Sequence, residues 1–293
     1  ESTDTYAELP LPQAVEQIIA RRLDTLSPAL RSIVHLTAVL GERFDFDLLR
    51  LASAAEPRVL LDALHELVRC HILDETDQDY RFHHDKIRQV AYGAIAATER
   101  AQLHHRTAEA LEASNPDQAA ALAYHWEGAA VWDKAADYHQ QAGDRAQAVY
   151  ANQEAVHAYQ LALKALAGLP EAEQAAFRAE ELALNKGLGE VYLVTGEYEP
   201  AAACFRARLA LLQAGAPDPE AVATTWHRLS ACHKYRGQYG EAILSLEWGL
   251  SALEPAAAFP KTRAALVLEL GWIAVHQGRP LEAIEHSRQA LQL

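Results

Sequence analysis

The 293-residue chain contains no methionine and only three cysteines, Cys70, Cys204 and Cys232. They are an odd number, far apart and set inside helical patterns. This arrangement excludes both the spacing of a zinc site and the dense disulfides of a small secreted domain. We therefore expect buried thiols in a reducing cytoplasm. The missing methionine, and a helical pattern still running at Leu293, indicate a piece of a longer protein.

Long apolar runs are also missing from the sequence. No stretch approaches the roughly 18 consecutive apolar residues that a membrane-spanning helix needs, and no signal peptide is visible. These absences favour a cytoplasmic protein without a membrane partner.

Basic residues are scarce. The chain has 26 Lys and Arg against 40 Asp and Glu, a formal net charge of −14. The deficit is spread, with 10 basic against 16 acidic residues in positions 1–95 and 16 against 24 in the remainder. Because binding to a phosphate backbone needs a concentrated basic surface, nucleic acid is not an expected partner.

Signatures of catalysis are absent as well. The sequence has no Gly-x-x-x-x-Gly-Lys-Ser/Thr loop, so this chain cannot cradle a triphosphate. It has no Ser-His-Asp, Cys-His or Gly-x-Ser-x-Gly arrangement. We expect no enzymatic activity and no cofactor of its own for this chain. Half of the residues are apolar, which is enough for a large core.

The first 95 residues predict short helices followed by a β-hairpin. One helix follows Pro12, with Val15, Ile18, Ile19 and Leu23 on one face. Ser27 and Pro28 open the second helix and Gly41 ends it. A short extended element at 43–46 precedes a third helix that Asp47 can cap, and Pro57 opens a fourth. Ile72 and Leu73, a polar turn at 74–79, and Tyr80–Phe82 then predict the hairpin. This order is that of a winged-helix domain, assigned to residues 1–95.

Winged helices can bind DNA through a recognition helix, here the helix that Pro57 opens. Its charges are Arg58 and Arg69 against Asp62 and Glu66, with Glu56 just before it. A recognition helix needs several basic or amide side chains for phosphates and base edges. This helix has no basic excess, so contacts with protein or nucleotide are favoured over DNA.

The rest of the chain, residues 96–293, predicts helix after helix, with a 41-residue repeat in its last third. Small residues recur where paired helices must cross closely, and a glycine recurs at each turn. The small residues are Gly189, Ser230 and Gly271, with Ala201, Ala242 and Ala283. The turn glycines are Gly196, Gly237 and Gly278. The pattern resembles the tetratricopeptide repeat, whose usual period is 34.

Two less regular helix pairs are predicted before these three copies. One hairpin runs from Gln118 to Ala142. In the next, Ala146 and Val149 form a short first helix, and Ala155 and Tyr159 lie on its partner. The fold prediction is therefore mainly α: a winged helix with a small hairpin, followed by a tetratricopeptide-like α-solenoid of about five helix pairs. Arrays of this kind usually bind ligands on a concave face.

The joint between the two parts carries the sequence Phe82-His83-His84-Asp85. A winged helix that ends in such a motif and precedes a repeat array resembles the signal-transducing STAND ATPases of the MalT-like and AfsR-like type. In many members the motif reads Met-His-Asp, and its histidine touches the β-phosphate of bound ADP. The resemblance implies that His84 contacts nucleotide and that Asp85 supports it. His83 stands where the family has Met.

The resemblance also implies that the NTPase module, with ADP or ATP and Mg²⁺, precedes Glu1 in a parent protein that is an ATPase. The repeat array would then bind a protein, a peptide or a small inducer, and the winged helix would transmit this event to the NTPase.

Two further groups of residues are candidates for function. Lys234, Tyr235 and Arg236 follow the repeat positions and can face the groove. The adjacent histidines at 83–84 and 104–105 could suggest a metal site, but neighbours on a helix point to different sides, so no metal is expected.

Two alternatives to the STAND reading remain open. A free-standing repeat adaptor for protein interactions would have no hairpin at Ile72–Phe82. A DNA-binding winged-helix regulator would bind duplexes tightly and in a salt-sensitive way.

Overall fold

The computed structural model describes residues 13–77, 79–215, 218–254 and 258–293. These residues are mainly helical with one small sheet, as the sequence predicts. The chain divides into two compact units, Glu1–Ala135 and Ala136–Leu293. No helix within the described residues has both the length and the apolar content needed to cross a bilayer.

The first unit contains the three strands and the helices up to the first residues of α8. They are α1 (Gln13–Asp24), α2 (Pro28–Leu40), β1 (Arg43–Asp45), α3 (Phe46–Ser53), α4 (Pro57–Arg69), β2 (Leu73–Glu75), β3 (Asp79–Phe82), α5 (Asp85–Ala94), α6 (Ala97–Ser114), α7 (Ala119–Gly128) and α8 (Trp132–Ala148). Helix α8 continues into the second unit, which also holds α9 (Asn152–Ala167), α10 (Glu171–Gln174), a 3-10 turn (Ala175–Phe177), α11 (Arg178–Thr195), α12 (Tyr198–Ala214), α13 (Pro219–Tyr235), α14 (Tyr239–Ala252), α15 (Pro260–His276) and α16 (Pro280–Leu291).

The caps of the first helices follow the sequence signals with one exception. The Ser27 hydroxyl accepts a hydrogen bond from the backbone N–H of Leu30, and Gly41 caps the end of α2. Helix α3 is capped by Asp45, whose carboxylate accepts from the N–H of Leu48 at 2.7 Å. The expected cap, Asp47, lies inside the helix. The cap falls at Asp45 because its backbone is still extended, which directs its carboxylate to the free N–H groups of the first turn.

The three strands form one antiparallel sheet in the order β1-β3-β2. Strands β2 and β3 pair with Leu73 opposite Phe82, and β1 adds to the other edge of β3 with Phe44 opposite Tyr80. The extended element predicted near Arg43 is therefore a third strand. Its Phe44 ring stacks on Tyr80 with the ring centroids 6.0 Å apart, and both residues are buried.

Helix α1 contacts the core of the first unit through fewer residues than its pattern predicts. Leu23 is buried and Ile19 packs against the core, whereas Val15 and Ile18 are exposed. The prediction that all four share a buried face is wrong for these two: α1 packs against α5, and of the four only Ile19 and Leu23 reach the core.

The three 41-residue copies form helical hairpins in the second unit. Helix α11 packs on α12, α13 on α14 and α15 on α16, and each hairpin also contacts the next one. The predicted small residues lie at the crossings: Ala201 and Ala242 are fully buried and Ala283 nearly so. A Cβ on Gly189 would lie 2.8 Å from the Phe205 ring, so this crossing requires a glycine.

One turn geometry closes all of these hairpins. Gly196, Gly237 and Gly278 have positive φ angles of 84°, 73° and 72°. The next residue then donates its N–H to the carbonyl five positions back, as from Glu197 to Tyr192 at 2.8 Å. This is the Schellman end of a helix, and the predicted turn glycines are confirmed.

The same turn also occurs at residues that are not glycine. Ala130 and Tyr150 have φ angles of 58° and 59°, and the residues after them donate to the carbonyls of Trp126 and Ala146. Helix α8 is consequently one 17-residue helix up to Ala148. The prediction of a separate short first helix near Ala146 is wrong, because the chain reverses at Tyr150.

The compact units do not coincide with the predicted domains. Helices α6 and α7 lie after residue 96 but belong to the first unit. A compact unit is defined by packing, whereas a winged helix and a repeat array are defined by their pattern, so the boundary at 95/96 stays a prediction.

The turn geometry leads to a stability prediction for two neighbouring glycines. A Cβ at Gly237 or at Gly240 would meet nothing within 4 Å, but only Gly237 has a positive φ. We expect Gly237→Ala to destabilise the protein by about 1 kcal/mol. Gly240→Ala should stabilise α14 by up to about 1 kcal/mol. Urea denaturation followed by circular dichroism measures both changes, and a shift in the same direction for the two variants would contradict this account.

Candidate functional site

The two residues implied to contact nucleotide lie at the start of α5. His84 is the N-cap residue, is exposed, and does not use its side chain to cap the helix. Asp85 lies in the first turn and accepts hydrogen bonds from Arg88 Nε at 2.9 Å and from Gln89 Nε2 at 2.6 Å. The Asp85 carboxylate is thus held by its own helix, while the His84 ring is open to solvent beside the free N–H groups of the helix.

A second histidine lies beside His84 but is held by the sheet. His83 Nδ1 lies 2.8 Å from Asp74 Oδ1, and its ring centroid lies 4.5 Å from that of His84. The hydrogen bond to His83 holds the pKa of Asp74 below its ordinary value, and Arg81 contributes to the same effect. Of the two adjacent histidines, His83 is therefore tied to the sheet through Nδ1, whereas His84 does not use its side chain to cap the helix.

The predicted groove residues Lys234, Tyr235 and Arg236 each contact a neighbouring hairpin. The Lys234 ammonium lies 2.5 Å from Glu269 Oε1, and the Lys234 side chain is only 9% exposed. Arg236 pairs with Glu199. Tyr235 stacks on Tyr198 with ring centroids 5.2 Å apart and stays exposed. Lys234 therefore joins α13 to α15, and Tyr235 is the member of the trio that presents a surface.

An exposed apolar row accompanies Tyr235 on the first helices of the hairpins. We call it the first-helix row. Its members are Val194, Tyr235, Leu268, Trp272 and Val275, all exposed. Val194 and Tyr235 are equivalent positions 41 residues apart, and the next equivalent is His276, whose ring stacks on Trp272 with centroids 3.5 Å apart. Leu268, Trp272 and Val275 are spaced along one face of α15. Of the five, only Tyr235 is predicted from the sequence. The 41-residue spacing from Tyr235 leads to Val194 and to His276, but not to Leu268, Trp272 or Val275.

A small basic pocket is lined by residues of α11, α12 and α13. Its volume is about 210 Å³, and Lys186, Arg208 and Arg228 line it together with Glu190. Glu190 pairs with Arg228 at 2.6 Å, and Arg208 donates to the Leu182 carbonyl. In a chain with a net charge of −14, this pocket is a local excess of positive charge that suits an acidic group.

A buried hydrogen-bonded chain joins α5, α6 and α7 in the first unit. The Tyr92 hydroxyl lies 2.9 Å from His104 Nε2, and His104 Nδ1 lies 3.1 Å from His125 Nδ1. Both histidines are buried. Burial lowers the pKa of His104 to about 4 and that of His125 to about 3, while it raises the pKa of Tyr92 to about 12. At neutral pH all three groups are uncharged.

The adjacent histidines at 104 and 105 separate as a helix requires. His104 enters the core, whereas His105 is partly exposed and pairs with Glu109. Within the described residues, no group of three or more His, Cys, Asp or Glu side chains is arranged to hold a metal ion.

Neither a protein-family model nor a curated protein matches the chain. Among solved structures, MamA residues 41 to the end from Desulfovibrio magneticus RS-1 match with 16% identity and a TM-score of 0.43, over 68% of this chain and 97% of that one. BtubC from P. vanneervenii matches with 15% identity and a TM-score of 0.47, over 84% and 90%.

A signal transduction ATPase with numerous domains from Pyrococcus horikoshii, which has a tetratricopeptide repeat sensor, matches with 14% identity and a TM-score of 0.37. The match covers 97% of this chain and 47% of that protein, so the chain spans about half its length. Because every TM-score is below 0.5, these similarities assign neither a family nor a function to the chain.

The buried histidines predict how stability depends on pH. In the unfolded chain they take up a proton near the ordinary pKa of 6.5, whereas in the folded chain they stay neutral until the pH approaches 4 and 3. The unfolded state therefore binds more protons over this range. We expect each histidine to remove roughly 2 kcal/mol of stability between about pH 7 and about pH 5. Urea denaturation at both pH values measures the loss.

Two variants separate this effect from general acid sensitivity. The double variant His104→Gln and His125→Gln removes both titrating rings and should flatten the pH dependence. The variant His105→Gln should keep it. An unchanged pH dependence in the double variant would rule out the buried pair as its source.

Proposed function

We propose that the chain is the sensing and transmitting portion of a STAND-class NTPase. Its helical hairpins bind a protein or peptide partner or a small inducer, and its first unit, which includes a winged helix, passes this event to an NTPase module elsewhere in the parent protein. The observation that carries the binding part of the proposal is the first-helix row.

The first-helix row has the composition of a binding surface. Aromatic residues are enriched in the energetic centres of protein interfaces, and the row includes Trp272 and Tyr235. Val194 and Tyr235 occupy one repeat position, and Leu268, Trp272 and Val275 lie along one face of α15. Grouped apolar side chains form a larger patch than singly scattered ones, and such patches mark interaction sites. The ion pairs of Lys234 and Arg236 lie at its border. A linear peptide with apolar side chains fits this surface, and the basic pocket at Arg228 suits an acidic residue of the same peptide.

The transmitting part of the proposal is supported by the surroundings of His84. The imidazole is exposed at a helix N-terminus, where free N–H groups and the helix dipole favour an anion, and a histidine N–H can donate to a phosphate oxygen. Four short helices, α1 to α4, and the three antiparallel strands precede it, an order compatible with a winged helix. These residues fit one side of a phosphate site.

The same residues do not fit a magnesium site. The Asp74 carboxylate is bonded to His83, and the Asp85 carboxylate is bonded to Arg88 and Gln89. The described residues here therefore offer no carboxylate pair free for Mg²⁺. In the proposed parent, the metal and the triphosphate would be held by the NTPase module, and this chain alone would hydrolyse nothing.

The two alternatives are less well supported. A free-standing adaptor does not account for the antiparallel strands at 73–75 and 79–82. A DNA-binding regulator needs a basic face on α4, but the Arg69 guanidinium is neutralised by Glu66 at 2.6 Å. Salt-sensitive binding of duplex DNA by the chain would nevertheless favour the second alternative.

The binding surface can be tested with a library of linear peptides displayed on phage. We expect selected peptides to bind the unchanged chain and to lose about tenfold or more in affinity on Trp272→Ala, because truncation of a central aromatic residue typically costs at least 1–2 kcal/mol. Trp248→Ala is the matched control, since Trp248 is 50% exposed and Trp272 39% exposed but Trp248 lies on the second helix of its hairpin. An equal loss on both variants, or no enrichment, would refute the role of the row.

The transmitting role can be tested in the parent protein. His84→Ala should speed the release of bound ADP, measured with a fluorescent ADP analogue, because a charge-assisted contact to a phosphate is lost. His83→Ala should leave the release rate near that of the unchanged protein, since His83 is bonded to Asp74. Identical release from the His84 variant and the unchanged protein would falsify the nucleotide contact.

A further inference from the structure

The first unit contains a cavity of about 400 Å³ that none of the roles above uses. It lies between the β1–β3 edge of the sheet and the helices α6 and α7. Its inner wall includes the buried residues Leu40, Phe44 and Leu111, with His125 among them, while its rim is polar and includes Gln118. The volume lies in the range of small-molecule sites, which combine apolar walls with a few polar groups.

The rim of the cavity is acidic. Asp45 and Asp79 lie directly opposite each other in the β1–β3 ladder. Asp47 follows in the first turn of α3, where Arg50 pairs with it at 3.4 Å. Arg43 is the single basic residue among the described residues of the wall. Like charges directly opposite in a sheet destabilise it, and the Asp79 carboxylate has no ion-pair partner within the described residues. A positive charge at this rim would relieve the repulsion.

His125 supplies a polar atom on the inner wall. The residue is only 5% exposed, and its Nδ1 is occupied by the bond to His104. No protein partner for its Nε2 occurs in the described part of the chain. Since two neutral imidazoles share one proton in an Nδ1···Nδ1 bond, Nε2 donates when His104 is the donor of that bond and accepts when His125 is. His125 lines the cavity, so this ring nitrogen can serve either role toward a molecule bound there.

We propose that this cavity binds a small organic ammonium ion with an apolar body and a second polar group. The ammonium lies at the Asp45 and Asp79 carboxylates, which accept its hydrogen bonds. The apolar body lies against Phe44 and Leu111. The second polar group reaches His125 Nε2, and a hydroxyl suits it best, because a hydroxyl both donates and accepts.

The charge requirement can be tested by calorimetric titration with matched pairs of ligands. Tyramine and phenethylamine carry an ammonium, whereas 4-hydroxyphenylacetate and phenylacetate place a carboxylate on the same aryl group. We expect both amines to bind, with tyramine the tighter because of its hydroxyl, and neither acid to bind. Binding of the acids as strongly as the amines, or no binding of either amine up to about 10 mM, a limit well above typical small-ligand dissociation constants, would overturn the proposal.

Substitutions of the rim carboxylates test where the amine binds. Asp79→Asn should weaken phenethylamine binding by about tenfold, because one charged acceptor is removed. Asp45→Asn should have a similar effect, and asparagine still caps α3. Asp77→Asn is the matched control, since it removes the same charge from the adjoining turn but does not line the cavity. An equal loss with Asp77→Asn would show a long-range charge effect only and would refute the site.

The contact between the ligand and His125 is tested by a separate measurement. His125→Gln should reduce the preference for tyramine over phenethylamine while both amines still bind, because the amide cannot occupy the position of Nε2. Circular dichroism verifies that this variant folds. If it does not fold, the unchanged protein is titrated instead with tyramine methylated at its hydroxyl, and the preference over phenethylamine is measured again. An undiminished preference in that measurement would exclude the contact with His125.

Discussion

A left-handed residue at the end of a helix is the constraint on which this structure depends. It reverses the chain within one residue, and the following N–H then bonds to the carbonyl five positions back. The same turn follows α7, α8, α11, α13 and α15, and after α4 it occurs at His71, from which the chain enters the sheet. Because the turn fixes the angle between consecutive helices, it decides which side chains share a face, and so it positions both the first-helix row and the strands beside His84.

How far the fold could be predicted depended on which residue occupies this turn. Where glycine occupies it, at 196, 237 and 278, the residue type alone predicts the chain reversal, and the helical hairpins can be predicted from these reversals. Where Ala130 or Tyr150 occupies it, the residue carries no signal, because alanine favours helices and tyrosine rarely adopts a left-handed conformation. The packing of the hairpins imposes that conformation instead. The error at Ala146 followed from this, and only tertiary contacts could have prevented it.

The candidate sites also differ in how much of each could be predicted from the sequence. The roles of His84 and Asp85 come from the resemblance to the STAND ATPases and stay a prediction, whereas their place at the start of α5 is a local feature of the chain. The exposure of Tyr235 and the burial of Lys234 were not separable from sequence, since Lys234 is buried by Glu269 and Trp272 of the next hairpin. The pairing of His104 with His125 joins residues on two helices, and the acidic cavity brings together a strand pair and two later helices. Neither leaves a spacing in the sequence that predicts it.

The neighbour-to-neighbour contacts of the hairpins have a consequence for the history of the gene. Each 41-residue copy begins and ends at the same backbone geometry, so duplication or loss of 123 base pairs would preserve the reading frame, every reversal and every crossing. What such an event would change is the chemistry at the new junction. Arg236 would have to find an acid where Glu199 stands, and Lys234 an acid where Glu269 stands. A new junction would keep its ion pairs only if acidic residues stood at those two positions.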